Sequence, residues 1–177
     1  MPPQRDRADV MVDFWCRENP DVDRRVRTLA IRARRVALHL ERVLRHELSA
    51  LGIEAWEFEV LLALRRSPGY CRSAGELLRE SQVTSGAITN RVAQLERRGW
   101  VKRQVCPSDR RQVLVTLTPE GVGCADQLLA TKTHADMTVF GRLSPAAQDR
   151  LNDDLRALLL ILEGEATGGD DDRPPPA

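Results

Sequence analysis

The chain has 177 residues, 42% of them hydrophobic, and a formal net charge of +1. That length fits one compact domain, or one domain with an added arm, better than two. The composition excludes a largely disordered chain, and no apolar run approaches the roughly 20 residues needed to cross a bilayer. The first ten residues are polar, carry two prolines and have no secretory hydrophobic core, so a cytoplasmic protein is expected.

Aromatic residues are 4% of the chain, while Leu, Ala, Arg and Val abound, which argues for a helical protein. Charge is unevenly spread. Residues 60–115 hold eleven Lys/Arg against four Asp/Glu, and the remainder holds 16 against 22. A basic island in an acidic chain is the asymmetry of a nucleic-acid surface, or else chance clustering. The cysteines Cys16, Cys71, Cys106 and Cys124 are scattered, as are His39, His46 and His134, and no spacing suits a metal. No nucleophile–base pairing or phosphate loop is visible either, so neither an enzyme nor a cofactor is expected.

In chain order, residues 9–17 read as a short helix with Val10, Phe14 and Trp15 as its sticky side, broken at Asn19-Pro20. Next comes a long amphipathic pattern: Val26, Leu29, Ala33, Val36, Leu40, Val43 or Leu44, and Leu48, with arginines opposite and Gly52 as the stop. Helical spacing resumes at Trp56, Val60, Leu61 and Leu64 and ends at Ser67-Pro68-Gly69. Ser73 and Glu76 form an S-x-x-E capping box that opens a short helix with Leu77 and Leu78 inward. After a turn, Thr84 or Ser85 caps a second helix with Ile88, Val92 and Leu95 on one side and Ser85, Thr89, Asn90 and Arg91 on the other. Alone, this pair is either a helix-turn-helix or an ordinary αα-hairpin.

The next eighteen or so residues decide between the two. Residues 100–105 and 112–117 read as strands around the polar, basic turn at residues 106–111. A hairpin appended to a helix-turn-helix is a wing, and its arginines suit the negative potential of a minor groove. Thr118-Pro119 and Ser144-Pro145 then open two helices, the second rich in leucine: Leu151, Leu155, Leu158, Leu159 and Leu162. The expected fold is mostly α with a small β wing, a winged helix-turn-helix flanked by dimerisation helices. The expected divisions are an arm with a short extra helix at 1–22, a dimerisation helix at 23–54, the DNA-binding domain at 55–118, C-terminal dimerisation helices at 119–163 and a disordered tail at 164–177. Leu-rich terminal helices that so small a domain leaves uncovered would pair with a second copy. A two-fold dimer sets its recognition helices about 34 Å apart on a pseudo-palindrome.

The arrangement resembles the MarR family of bacterial transcription regulators. The matching residues are Ser85-Gly86-Ala87-Ile88-Thr89-Asn90-Arg91-Val92, Leu95-Glu96-Arg97-Arg98-Gly99, Asp109-Arg110-Arg111 and Val115-Thr116-Leu117-Thr118-Pro119-Glu120-Gly121. The resemblance implies a homodimer on double-stranded DNA that represses a nearby gene and releases its pseudo-palindromic operator on sensing a small molecule. It implies that Arg111 enters the minor groove with Arg110 beside it and that Asp109 holds the wing arginines by ion pairing. Thr84, Ser85, Thr89, Asn90 and Arg91 would meet bases and phosphates in the major groove.

A second resemblance, to the urate-responsive PecS/HucR-like branch, rests on Phe14-Trp15 in an extra N-terminal helix and on Trp56-Glu57-Phe58-Glu59-Val60-Leu61 leading to Arg65-Arg66. It implies a seat for a small anion, urate or another purine or phenolic compound, at Trp15, Glu59 and Arg66. Glu59 stands where the branch carries Asp. A redox switch using Cys16 is the competing signal on the same fold.

Overall fold

The computed structural model describes residues 4–19, 21–81 and 83–166. The fold is a winged helix-turn-helix with added helices. Its elements are α1 (Arg7–Glu18), α2 (Arg24–Ala50), α3 (Ala55–Arg65), β1 (Cys71–Ser73), α4 (Ala74–Ser81), α5 (Ser85–Arg97), β2 (Val101–Val105), β3 (Val113–Leu117), α6 (Pro119–Phe140) and α7 (Pro145–Ala166). Two compact units are separable, Met1–Asp136 and Met137–Ala177.

Helix α1 starts at Asp6, whose carboxylate accepts the Ala8 and Asp9 N–H groups while Asp9 accepts that of Asp6. This capping box satisfies donors that the first helical turn leaves orphaned. The helix packs on α2 through Ala8 and Val12, both fully buried, whereas Val10, Phe14 and Trp15 are exposed. The expected sticky side is therefore the outer one. Small Ala8 lets the two backbones approach, and ion pairs of Arg32 with Asp6 and Asp9, and of Asp13 with Arg5 and Arg24, fix the rotation of α1.

Helix α2 is capped by Asp23 and ends at Gly52, where φ is +65° and glycine is favoured. Leu48 is the buried residue of its long apolar stripe, and Val26, Leu29 and Val36 stay exposed. Helix α3 is the opposite case. It buries Phe58, Val60, Leu61, Ala63 and Leu64 at the centre of a core that also holds Leu77, Ile88, Val92, Leu95, Val115 and Leu128.

The sheet has the order β1-β3-β2 and is antiparallel throughout. The β2–β3 hairpin is the expected wing, with Val101 opposite Leu117 and Val105 opposite Val113. Strand β1 is an addition to the sequence reading. It pairs Arg72 with Val115, a partner more than forty residues away, which no local pattern reveals. The S-x-x-E box is present: Ser73 Oγ and N–H bond Glu76, and the Glu76 N–H returns to Ser73 Oγ. Thr118 begins α6 by accepting the Gly121 N–H and donating its hydroxyl to the Gly99 carbonyl. Gly121 is required there, because a Cβ would lie 1.9 Å from the Trp100 carbonyl oxygen.

In the second unit α7 buries no residue among those described, and Leu155, Leu158, Leu159, Leu160, Ile161 and Leu162 are exposed. It extends to Ala166, beyond the expected end near Glu163. Most of the tail expected to be disordered, residues 167–177, lies outside the described residues. Among the described residues no helix is long and apolar enough to cross a membrane.

Candidate nucleic-acid interface and effector site

The recognition helix α5 is anchored by Ile88, Val92 and Leu95, which are buried at i, i+4 and i+7. Thr84 is its cap, accepting the Ala87 N–H at 3.3 Å. The opposite face leaves Thr84, Ser85, Thr89 and Asn90 exposed. Thr89 donates its hydroxyl to the Ser85 carbonyl, which holds that side chain along the helix. Arg91 differs from these four. It is half-buried, with its guanidinium 5.5 Å from the centre of the Trp56 ring. One step before buried Val92, it leans toward α3.

The wing is tied to this helix by charge. Glu96 of α5 accepts from Arg103 Nε of β2 at 2.8 Å and from its backbone N–H at 3.3 Å. Those hydrogen bonds hold the Glu96 carboxyl below its usual value. At the wing tip Arg110 and Arg111 are exposed. Asp109 does not hold them by ion pairing: among the described residues no such pair exists. Its carboxylate accepts the Arg111 backbone N–H and the Gln112 side-chain amide, both at 3.0 Å. A tight turn leaves backbone donors without ladder partners, and a short acidic side chain satisfies them locally. Arg111 also borders a 500 Å³ groove shared with Ser73, Gly75, Glu76 and Arg79. Sequence reasoning passed over Arg79 because it sits on the first helix of the pair, where the wing's approach cannot be read.

The three residues expected around an effector are apart in the single chain. Trp15 stands on α1 with Arg27 5.5 Å from its ring centre, over a 630 Å³ groove that also takes in Met11, Ile31, Arg34, Arg35 and Leu38. Neither Glu59 nor Arg66 lines that groove. Glu59 is exposed on α3, and Arg66, which caps its end, pairs with Glu80 of α4 at 3.3 Å. Glu80 also pairs with Arg72, so one carboxylate links the end of α3, β1 and α4.

All four cysteines are free thiols of intermediate exposure. Cys16 lies 4.0 Å from the Val22 carbonyl. Hydrogen bonding from Ser108 pulls the Cys106 thiol down, and burial pushes Cys124 up. Among the described residues no group of His, Cys, Asp or Glu has the geometry to hold a metal.

Comparison with known proteins settles the class. A MarR-family sequence profile matches residues 51–112. The chain is 30% identical to Sco3205 of Streptomyces coelicolor, a MarR-family transcriptional regulator solved in complex with DNA. That likeness covers 77% of this chain and 87% of Sco3205, with a TM-score of 0.62. The chain belongs to the MarR family. It is also 29% identical over 150 residues to the transcriptional regulator PecS of Dickeya dadantii, covering 84% of this chain and 88% of PecS. A Mycobacterium tuberculosis MarR-family protein solved with p-aminosalicylic acid is 32% identical, with a TM-score of 0.59 over 73% of this chain and 97% of that one.

For a MarR-family regulator the signature residues now have separate physical duties. Thr118 and Gly121 lock the start of α6 against Trp100, Asp109 orders the wing turn, and Glu96 fixes the wing to α5. Ser85, Asn90, Arg110 and Arg111 stay exposed. Glu57, buried on α3 and paired with Arg98, lies inside the motif at residues 56–61 but has no role in that resemblance, although its place three residues after Glu54 is the spacing of a capping box.

Proposed function

We propose that this regulator is a homodimeric repressor that reads a pseudo-palindromic operator and is released from it by a small anionic aromatic compound. The observation that carries the reading is the exposed polar face of α5 beside a wing whose Arg110 and Arg111 have no ion-pair partner among the described residues. Uncommitted guanidiniums next to hydroxyl and amide groups suit phosphates and base edges. Thr84, Ser85, Thr89 and Asn90 would enter the major groove, with Arg91 joining them by leaving Trp56. Arg110 and Arg111 would follow the minor groove, with Asp109 shaping the turn.

Dimer formation is supported by the apolar residues that a single chain leaves in water on α1, α2 and α7. An anionic effector is supported by Trp15 with its neighbouring arginines and by Arg66, whose partner Glu80 belongs to the first helix of the DNA-reading pair. An anion that takes Arg66 competes with Glu80 and disturbs α4, while Glu59, two turns earlier on α3, feels the added negative charge. The aromatic carboxylate found with the M. tuberculosis relative is of the same chemical class. The setting for this chemistry is the cytoplasm, where operator DNA is open to a soluble regulator.

The test is fluorescence anisotropy on duplexes selected by the protein from a random pool, with urate, xanthine, salicylate or the oxidant diamide added. Purine or phenolic anions should release DNA at millimolar concentration or below, and Arg66→Ala should abolish release while sparing DNA binding. Release by diamide alone, lost in Cys16→Ser, would replace the anion reading with the redox one.

A further inference from the structure

Among the described residues the buried polar side chains are Glu57 and Ser67, and Glu57 alone is ionisable. An ionised carboxylate out of water needs a partner on each oxygen. Glu57 has them. One oxygen accepts the Glu54 N–H at 3.0 Å, and the other lies 3.2 Å from Arg98 Nε. Arg98 is the C-cap of the recognition helix. Its guanidinium also donates to the Gly52 carbonyl at 3.2 Å and stacks on the Trp100 ring, 4.6 Å from its centre.

One side chain thus joins four things: the end of α5, the glycine turn between α2 and α3, the first turn of α3, and the residue that opens the wing. Neighbouring Cys124 contributes no competing charge, since burial pushes its thiol up and keeps it neutral. The arginine plane fits only one orientation, with the carboxylate at Nε, the carbonyl at Nη2 and the indole on its face. Glu57 is buried, and Arg98 stands at the C-terminal end of α5, opposite the end that Thr84 caps.

We propose that Glu57 and Arg98 are positioning residues that set the angle of the recognition helix and so determine operator selectivity rather than general affinity. This rests on α5 being the helix that reads DNA. A helix anchored by apolar contacts at Ile88, Val92 and Leu95 can still pivot about them, because such contacts are non-directional. A three-partner arginine at its end removes that freedom. Base-edge hydrogen bonds depend steeply on angle, and phosphate attraction does not.

The experiment compares binding to a duplex that the wild-type chain selects from a random pool with binding to a scrambled duplex of the same composition. Glu57→Gln adds one net positive charge, so simple electrostatics raises affinity for both. Under the proposal the selected-to-scrambled ratio falls about tenfold, the size of one lost base-pair readout, while scrambled binding holds or rises. Arg98→Lys, which keeps the charge and loses the planar fork, should lower the ratio similarly. The paired variant Glu57→Leu with Arg98→Met removes both charges and so avoids an orphaned buried ion. It should melt near wild type and still show the lowered ratio. A ratio within twofold of wild type in the folded single or paired variants would overturn the assignment, whatever their melting temperature. Failure of the wild-type chain to select any duplex would overturn the DNA-reading role of α5, and the clamp with it.

Discussion

Two regions of this molecule solve the burial problem differently. The segment from α3 to β3 builds one core: every turn of α3, the inner faces of α4 and α5 and the inner side of β3 feed it, and Leu48 of α2 with Leu128 of α6 complete it. The helices α1, α2 and α7 instead leave large apolar side chains in water, with Phe14, Trp15, Val26, Leu29, Leu158 and Leu159 exposed. The first region needs only its own chain to be stable. The second leaves that surface for something to cover, which fits the proposed dimer seam of a regulator holding two DNA-reading heads at a fixed spacing.

The contrast is easiest to break at the end of the chain. Deleting residues 150–177 should leave the winged core folded but monomeric or insoluble, with operator affinity lower by on the order of a hundredfold, because two tethered heads bind far more tightly than one. Sedimentation and anisotropy check this, and a soluble dimer of wild-type affinity would put the seam elsewhere. Deleting only residues 168–177 should change neither reading.

Where α6 packs against the residue that opens the wing, a methyl group is enough to cause damage. Gly121→Ala forces a Cβ to 1.9 Å from the Trp100 carbonyl oxygen. The overpacking should cost about 3 kcal/mol and lower the melting midpoint by on the order of 10 °C. Gly86→Ala is the matched control, since nothing lies within 4 Å of its Cβ. It should melt no lower than wild type, by differential scanning fluorimetry.

The two kinds of DNA contact separate next. Asn90→Ala should weaken a selected duplex by about 1–3 kcal/mol and leave random DNA nearly untouched. Arg111→Ala should weaken both and reduce the salt slope by about one. Titrations at several salt concentrations distinguish them, and equal losses for Asn90→Ala on both duplexes would make that residue a phosphate contact.

The smallest effect concerns pH. Glu76 is held below its ordinary value of 4.5, chiefly by the Ser73 N–H and then by the Ser73 hydroxyl. A lowered carboxyl stabilises the fold fully above its unfolded value and loses that contribution as pH falls through the folded one. Urea unfolding from pH 7 to pH 3 should show Glu76→Gln less stable by a constant amount above about pH 5, with the gap closing in acid. A gap that persists at pH 3 would mean the glutamate acts by packing alone.

What could be read from the sequence depends on the range of the forces involved. The helix starts at Thr84 and Thr118, the Ser73–Glu76 box, the wing hairpin and the buried spacing of Ile88, Val92 and Leu95 are local, set by residues within one or two turns, and the sequence states them directly. The class of the DNA interface was legible too, since polar residues opposite an apolar stripe point outward wherever the helix packs. Which polar residue is free to act was not. Arg91 rests on Trp56, Asp109 caps a turn instead of pairing with arginine, and Arg66 is engaged by Glu80. These depend on segments far apart in the chain. The face of α1 turned inward, the third strand β1 and the pairing of buried Glu57 with Arg98 are likewise products of packing. An amphipathic pattern says that a face will be buried, but the choice among neighbours is made by volume, approach distance and the placing of charges, which exist only once the chain has folded.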